Sequence, residues 1–343
     1  MRHYIFVPLV FFGYLFWLLS MDACNDQGIK SYNLTDPVSF KSDSNGSELI
    51  IQEDTFLYRL RMLQLSNGDH SGRWPPMASL PKEGSLLPYN RIVAFYGNFY
   101  SKKMGVLGAL PAEQMINQMD LELERWKKAD SLSPVVPAIH YIAVTAQKNP
   151  GSDGKYRLRM PFHQIDKALA LTNKVNGIVI IDVQVGLSTL QQELPLLDSF
   201  LKLPRFHLGI DPEYSMKQGS APGTSVGYFD ASDINYASAH LAALVSKHKL
   251  PPKLLIIHRF TTGMVTHYDK IVTRPEVQIV MNMDGFGFPE LKKNSYYHAI
   301  FKEPVQFAGF KLFYKNDTLN GTRMMKPEEI LKLIPQPVYI QYQ

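Results

Sequence analysis

The chain has a single cysteine, Cys24, among its 343 residues. One thiol closes no internal disulfide, so the folded body has to be stable on its core alone. No run of five or more Lys/Arg occurs, and a net charge of +5 with a pI near 9.0 is only mildly basic. The electrostatic footprint of a nucleic-acid binder is therefore missing. Gly-X-Ser-X-Gly occurs once, at Gly223-Thr-Ser-Val-Gly227, with no apolar strand leading into it, and no glycine-rich loop of the phosphate-cradling or dinucleotide type is present. The Ser225 motif therefore lacks the strand-turn-helix setting of a nucleophile elbow, and the P-loop and Rossmann chemistries lack their loops altogether. Met104-Gly-Val-Leu-Gly108 comes nearest, but with two glycines and no strand-turn-helix context it reads as a loop-shaping segment. No two histidines stand at the spacing of a zinc motif, so zinc is not expected from the spacing.

What is present begins with an export signature. Arg2 and His3 precede an uncharged run from Tyr4 to Met21, followed by Asp22-Ala23-Cys24. The n-region, apolar h-region and small-residue site are those of a secretory signal, residues 1–24. Cys24 stands where a bacterial lipobox places the acylated thiol, although Asp22 departs from the small uncharged residue usual there. Each buried CH₂ of an acyl chain would contribute ~0.8 kcal/mol, so a dual anchor on Cys24 would hold the chain at a membrane. The alternative is an uncleaved N-terminal anchor. Both readings put the rest of the chain outside the cytoplasm, on the periplasmic face or the cell surface. Asn-X-Ser/Thr sites at Asn33, Asn45, Asn316 and Asn320 carry no weight in a bacterial lipoprotein.

Residues 25–50 are polar and aperiodic and read as a tether. Within the lead-in 25–89, residues 53–65 suit a short helix. From residue 90 on, apolar segments suited to strands alternate with helical ones. The strands are 91–97, 135–144, 177–186, 206–213, 253–260, 277–284, 309–314 and 338–342. Helices are expected over 111–129, 161–175, 189–202, 230–249, 263–271, 290–302 and 326–333. Pro111 and Pro161 suit helix starts, and Asp230 suits an N-cap. This alternation predicts an α/β fold, a (β/α)₈ TIM-like barrel over 90–343. The last strand has no eighth helix after it, and the 53–65 helix is expected to cover that gap. A partly open barrel is the alternative.

Strand parity locates the candidate site. Val179, Ile181, Val183 and Val185 form an outward apolar set, leaving Ile180, Asp182 and Gln184 for the lumen. By the same rule Leu208 and Ile210 face out, leaving Gly209, Asp211 and Glu213. In 277–284 the inward set is Gln278, Val280, Asn282 and Asp284. Asp211 and Glu213, two apart on an extended strand, would share one face at a separation of roughly 6–7 Å along the chain. Tyr96, Asn98, His140, His258 or Arg259, and Gln341 fall at equivalent heights on other strands. Barrel active sites are built at that C-terminal end.

Two chemistries fit these groups. One is glycoside hydrolysis, with Glu213 as proton donor, Asp211 and Asp182 assisting, and aromatic rings stacking on sugar. That reading takes a glycan or other small polar substrate and needs no cofactor. The other is metal-dependent phosphodiester cleavage, with Asp182, Asp211, Glu213 and Asp284 on Mg²⁺ or Ca²⁺ and His258 and Arg259 on phosphate. A third possibility is a carbohydrate-binding or envelope-structural lipoprotein without turnover. In the long loop 145–160, Arg157 and Arg159 would suit an anionic substrate.

The segments Ala94-Phe-Tyr-Gly-Asn98, Met104-Gly-Val-Leu-Gly108, Val136-Pro-Ala138, Ile181-Asp-Val-Gln184, Gly209-Ile-Asp-Pro-Glu213, Asp284-Gly-Phe-Gly287 and Gly309-Phe-Lys-Leu-Phe-Tyr314 together resemble a family of bacterial exported lipoproteins. The resemblance spans roughly residues 90–343. It implies export and a barrel fold, and it brings no catalytic assignment. A strand-end Asp-X-Glu is also similar to the motif of several barrel glycosidases, in which the Glu is the acid; this is a likeness at the level of the fold.

Overall fold

In the computed structural model the described residues are 46–343, with side chains described from Thr55 onward. The signal segment, Cys24, the sequons at Asn33 and Asn45, and most of the expected tether lie outside them. Among the described residues, no helix is long and apolar enough to cross a membrane.

Eight parallel strands form the body: β1 (Arg91–Gly97), β2 (Val135–Ala146), β3 (Ile178–Val183), β4 (Phe206–Ile210), β5 (Lys253–Arg259), β6 (Val277–Met283), β7 (Phe307–Leu312) and β8 (Tyr339–Tyr342). Each pairs with the next, and β8 pairs with β1 with Ile92 opposite Tyr339, so the sheet closes. The expected α/β barrel is present and is not open. Strands such as Ile178–Val183 read as continuous apolar runs because both faces are covered, one by helices and the other by the lumen.

Parity separates the two layers. Val179, Ile181 and Val183, with Leu208, Ile210, Ile279 and Met281, pack outward into the cluster shared with the helices. Ile92, Ala94, Ala138, Ile180, Leu254, Ile256 and Val280 fill the lower lumen. Helix α1 (Gly46–Leu65) starts earlier than its sequence pattern suggests. It does not cover a gap in the wall: its Tyr58 and Met62 join the lumen cluster, beside Leu87 from the lead-in. The lower lumen is thus a packed apolar plug.

On the outside, α2 (Ala112–Ala129) and α3 (Phe162–Lys174) follow Pro111 and Pro161, and α4 (Ala231–His248) begins at a capping box in which Asp230 and Asp233 exchange backbone donors. Two expected helices are absent as such. Residues 189–202 break into Leu190–Glu193, a 3-10 turn over Leu194–Leu197, and Asp198–Leu201, because Pro195 has no N–H to continue the ladder. Residues 263–271 form two 3-10 turns around a two-residue strand, Val265–Thr266, that pairs with Phe229–Asp230. β-branched Val265 and Thr266 favour that extended link.

Candidate functional site

Above the apolar plug, the eight strands deliver one inward residue each: Tyr96, His140, Asp182, Gly209, His258, Asn282, Lys311 and Gln341. Pair register sets them opposite one another two by two, Tyr96 with His140, Asp182 with Gly209, His258 with Asn282, and Lys311 with Gln341. All but Gly209 are polar, and the missing side chain of Gly209 lets Asp182 and His140 come close to the β4 backbone. An ideal Cβ there would lie 2.5 Å from both Asp182 Oδ1 and His140 Nε2.

This layer is buried and extensively bonded. Tyr96 Oη donates to Asp182 Oδ2 at 2.9 Å. His258 Nδ1 donates to Asp284 Oδ2 at 3.1 Å. His140 Nδ1 meets Tyr339 Oη at 2.6 Å and Gln341 Nε2 at 2.9 Å, and Asn282 Nδ2 donates to Gln341 Oε1 at 3.1 Å. The Nε2 atoms of His140 and His258 approach Asp182 Oδ1 at 3.3 and 3.4 Å. Burial disfavours charge on all three residues. On Asp182, the two imidazoles outweigh that penalty and hold its carboxyl well below the usual range. Burial likewise opposes a charged His258, but Asp182 and Asp284 push it up to about 10. At His140, burial wins and the imidazole falls to about 4. The layer therefore favours one positive charge held between two carboxylates.

The mouth lies directly above. A cavity of about 630 Å³ is walled by Gln184, Asp211, Glu213, Asp284, Tyr96 and Lys311, with Tyr214, Phe260, Phe286 and Phe313 adding aromatic faces. Strand β4 ends at Ile210, one residue before the acid pair. Asp211 caps a 3-10 turn, Pro212–Tyr214, and its Oδ1 accepts from Glu213 N at 3.1 Å. Asp211 and Glu213 do not share a strand face, then; the turn brings both to the cavity. Pro212 in its first turn favours the turn over continued strand.

Burial pushes Asp211 well above the ordinary carboxyl value, reinforced by Glu213, Asp284 and Asp182, while Gln184 Nε2 donates to its Oδ2 at 3.1 Å. Burial also raises Glu213, and the charge of Asp284 adds to this. Lys311 acts the other way on Glu213. Its ammonium sits 4.1 Å from the centre of the Tyr96 ring, a buried cation–π contact.

Several expected site residues prove to be engaged elsewhere. Arg259 faces outward, ion-pairs with Glu303 and donates to Thr262 O at 2.9 Å, because strand alternation turns His258 inward and its neighbour out. Asn98 is spent on backbone, donating to Ile142 O and accepting from Tyr100 N, both at 2.9 Å. Arg157 and Arg159 clasp Glu193 at 2.8 and 2.7 Å. Asp182 lies in the layer beneath the cavity with His140, Asn282 and Gln341, whereas Asp284 reaches the wall. Lys311 was missed by the sequence reading. Its signal was parity: Phe310 and Leu312 are apolar and outward, which leaves Gly309 and Lys311 for the lumen.

No protein-family model matches the chain, and no curated protein matches it in sequence.

Proposed function

We propose that the protein is a glycoside hydrolase, with Glu213 donating the proton to the glycosidic oxygen. The observation that carries this reading is the meeting of Glu213, raised by burial and by Asp284, with a second carboxylate in one aromatic-walled cavity. A carboxyl whose pKa is raised above the ordinary value is what leaving-group protonation favours. Asp284 is the better second carboxylate. It lines the cavity and accepts from His258, which orients it toward the developing oxocarbenium ion as nucleophile or as base to water. Asp211 then serves as a hydrogen-bonding group, and Asp182 acts indirectly by holding Tyr96. Tyr214 and Phe286 offer faces for sugar rings.

The test is reducing-end release from a broad glycan panel that includes peptidoglycan, with wild type and Glu213→Gln in parallel. Release by wild type that falls ~10²–10⁴-fold in the variant supports the proposal. Equal release by both would end it.

Export and lipid anchoring at Cys24 belong to the same proposal and rest on the sequence pattern. A Cys24→Ser chain should lose fatty-acid labelling and leave the membrane fraction; a chain still labelled with Ser at 24 contradicts the anchor.

A further inference from the structure

We infer that His140, Asp182 and His258 form a binding site for a divalent transition-metal ion, zinc foremost, in the layer below the cavity. The inference goes beyond the glycosidase reading and does not depend on Glu213.

Three observations converge on it. First, His140 Nε2, Asp182 Oδ1 and His258 Nε2 lie within 4.8 Å of one another, from three strands, and all three side chains are fully buried. Beyond their mutual contacts none of these atoms has a hydrogen-bond partner, although leaving a buried polar atom unpaired costs about 1–3 kcal/mol. Their contacts of 3.3 and 3.4 Å match the edge of a zinc tetrahedron, roughly 3.3–3.4 Å for ligand bonds of about 2.0–2.1 Å.

Second, every ligand's other polar atom is held. His258 Nδ1 donates to Asp284, His140 Nδ1 meets Tyr339 and Gln341, and Asp182 Oδ2 accepts from Tyr96. At His258 the Asp284 carboxylate behind the imidazole fixes the ring and presents Nε2 to a metal that displaces its proton, the arrangement by which metal ligands are usually oriented; at His140 the same role requires Nδ1 to give its proton to Tyr339 Oη or to a Gln341 amide turned to present its oxygen.

Third, the missing side chain of Gly209 lets two of the ligands come together over the backbone. Gly209 stands opposite Asp182, and its missing Cβ would fall 2.5 Å from both Asp182 Oδ1 and His140 Nε2. Any side chain at 209 would push these two ligand atoms apart. Two nitrogens and one carboxylate oxygen suit zinc and its first-row neighbours better than magnesium or calcium, which prefer all-oxygen shells. The sequence concealed this site because its histidines lie on non-adjacent strands and form no short-range motif.

The test uses the full chain purified in detergent. Chelator-treated protein is titrated with ZnSO₄ by calorimetry, its melting is followed with and without the ion, and X-ray absorption is recorded on zinc-loaded wild type. His140→Gln and His258→Gln are measured in parallel. The expected result is one zinc per chain, a higher melting temperature with zinc, and a shell containing imidazole nitrogen and oxygen. Both gains should disappear in the folded variants. Should either variant fail to fold, the absorption spectrum of wild type decides alone. Folded wild type that takes up no stoichiometric zinc and melts unchanged would overturn the inference, leaving a proton on His258 or a water among the three groups. Zinc bound without imidazole, or retained in folded variants, overturns it equally.

Discussion

Substituting Gly209 by alanine tests the geometry of the polar layer directly. β4 is pinned on both sides there, with Gly209 opposite Asp182 on β3 and opposite Ile256 on β5. The added Cβ would lie 2.5 Å from two polar atoms and 2.9 Å from His140 Cε1, about 1 Å inside ordinary contact for carbon. Neither neighbour yields freely: Asp182 is tied to Tyr96, and His140 to Tyr339 and Gln341. Overpacking of this kind costs ~1–3 kcal/mol. Gly263→Ala is the matched control, since nothing lies within 4 Å of its added Cβ and its φ is not left-handed. That change should be neutral, or stabilising by about 0.4–1 kcal/mol through the unfolded chain. In thermal melts each kcal/mol corresponds to roughly 2–4 °C for domains of 150–250 residues, and somewhat less in a barrel this size. Gly209→Ala should melt several degrees below Gly263→Ala. Equal melting temperatures would refute the claim that the lumen is closed around Gly209.

Two further predictions concern stability. Glu213→Gln should raise the melting temperature at neutral pH and lose that advantage in mild acid. The fold raises the Glu213 pKa, so above the unfolded value of about 4.3 the native state holds a proton that the unfolded chain has released. Stability then falls as pH rises through the folded pKa, and Gln escapes that loss; an advantage unchanged between neutral and acid pH contradicts the reasoning. Lys253→Met should destabilise by ~1–3 kcal/mol, measured by denaturant unfolding, because Lys253 Nζ donates to the carbonyls of Leu203, Phe206 and Pro204 at 2.6, 2.8 and 3.3 Å below the barrel. An unchanged midpoint would mean that water replaces the ammonium at no cost.

The barrel was legible because parity and alternation are local signals. The outward sets on β3, β4 and β6 follow from every-other-residue hydrophobicity, and the strand starts from the onset of apolar runs. Strand ends were less legible. The pattern Phe206–Glu213 continues to look extended through Asp211, and only the Pro212 ring and the capping bond from Glu213 N turn the chain. Contacts between strands left no sequence trace. Nothing in the sequence pairs Arg259 with Glu303, or Arg157 and Arg159 with Glu193, because an arginine's partner is chosen by whatever the fold brings near. The same holds for His140, Asp182 and His258, whose meeting depends on closure of the barrel.

The central claim is that Glu213 supplies the proton to the departing sugar oxygen. The most direct measurement compares Glu213→Gln with wild type on two substrates sharing one glycone, a natural glycan and a dinitrophenyl glycoside whose leaving group needs no proton. The account predicts a loss of ~10²–10⁴-fold on the glycan and near-wild-type bond cleavage on the activated glycoside. An equal loss on both substrates, in a variant that folds normally, would show that Glu213 does something other than protonate the leaving group.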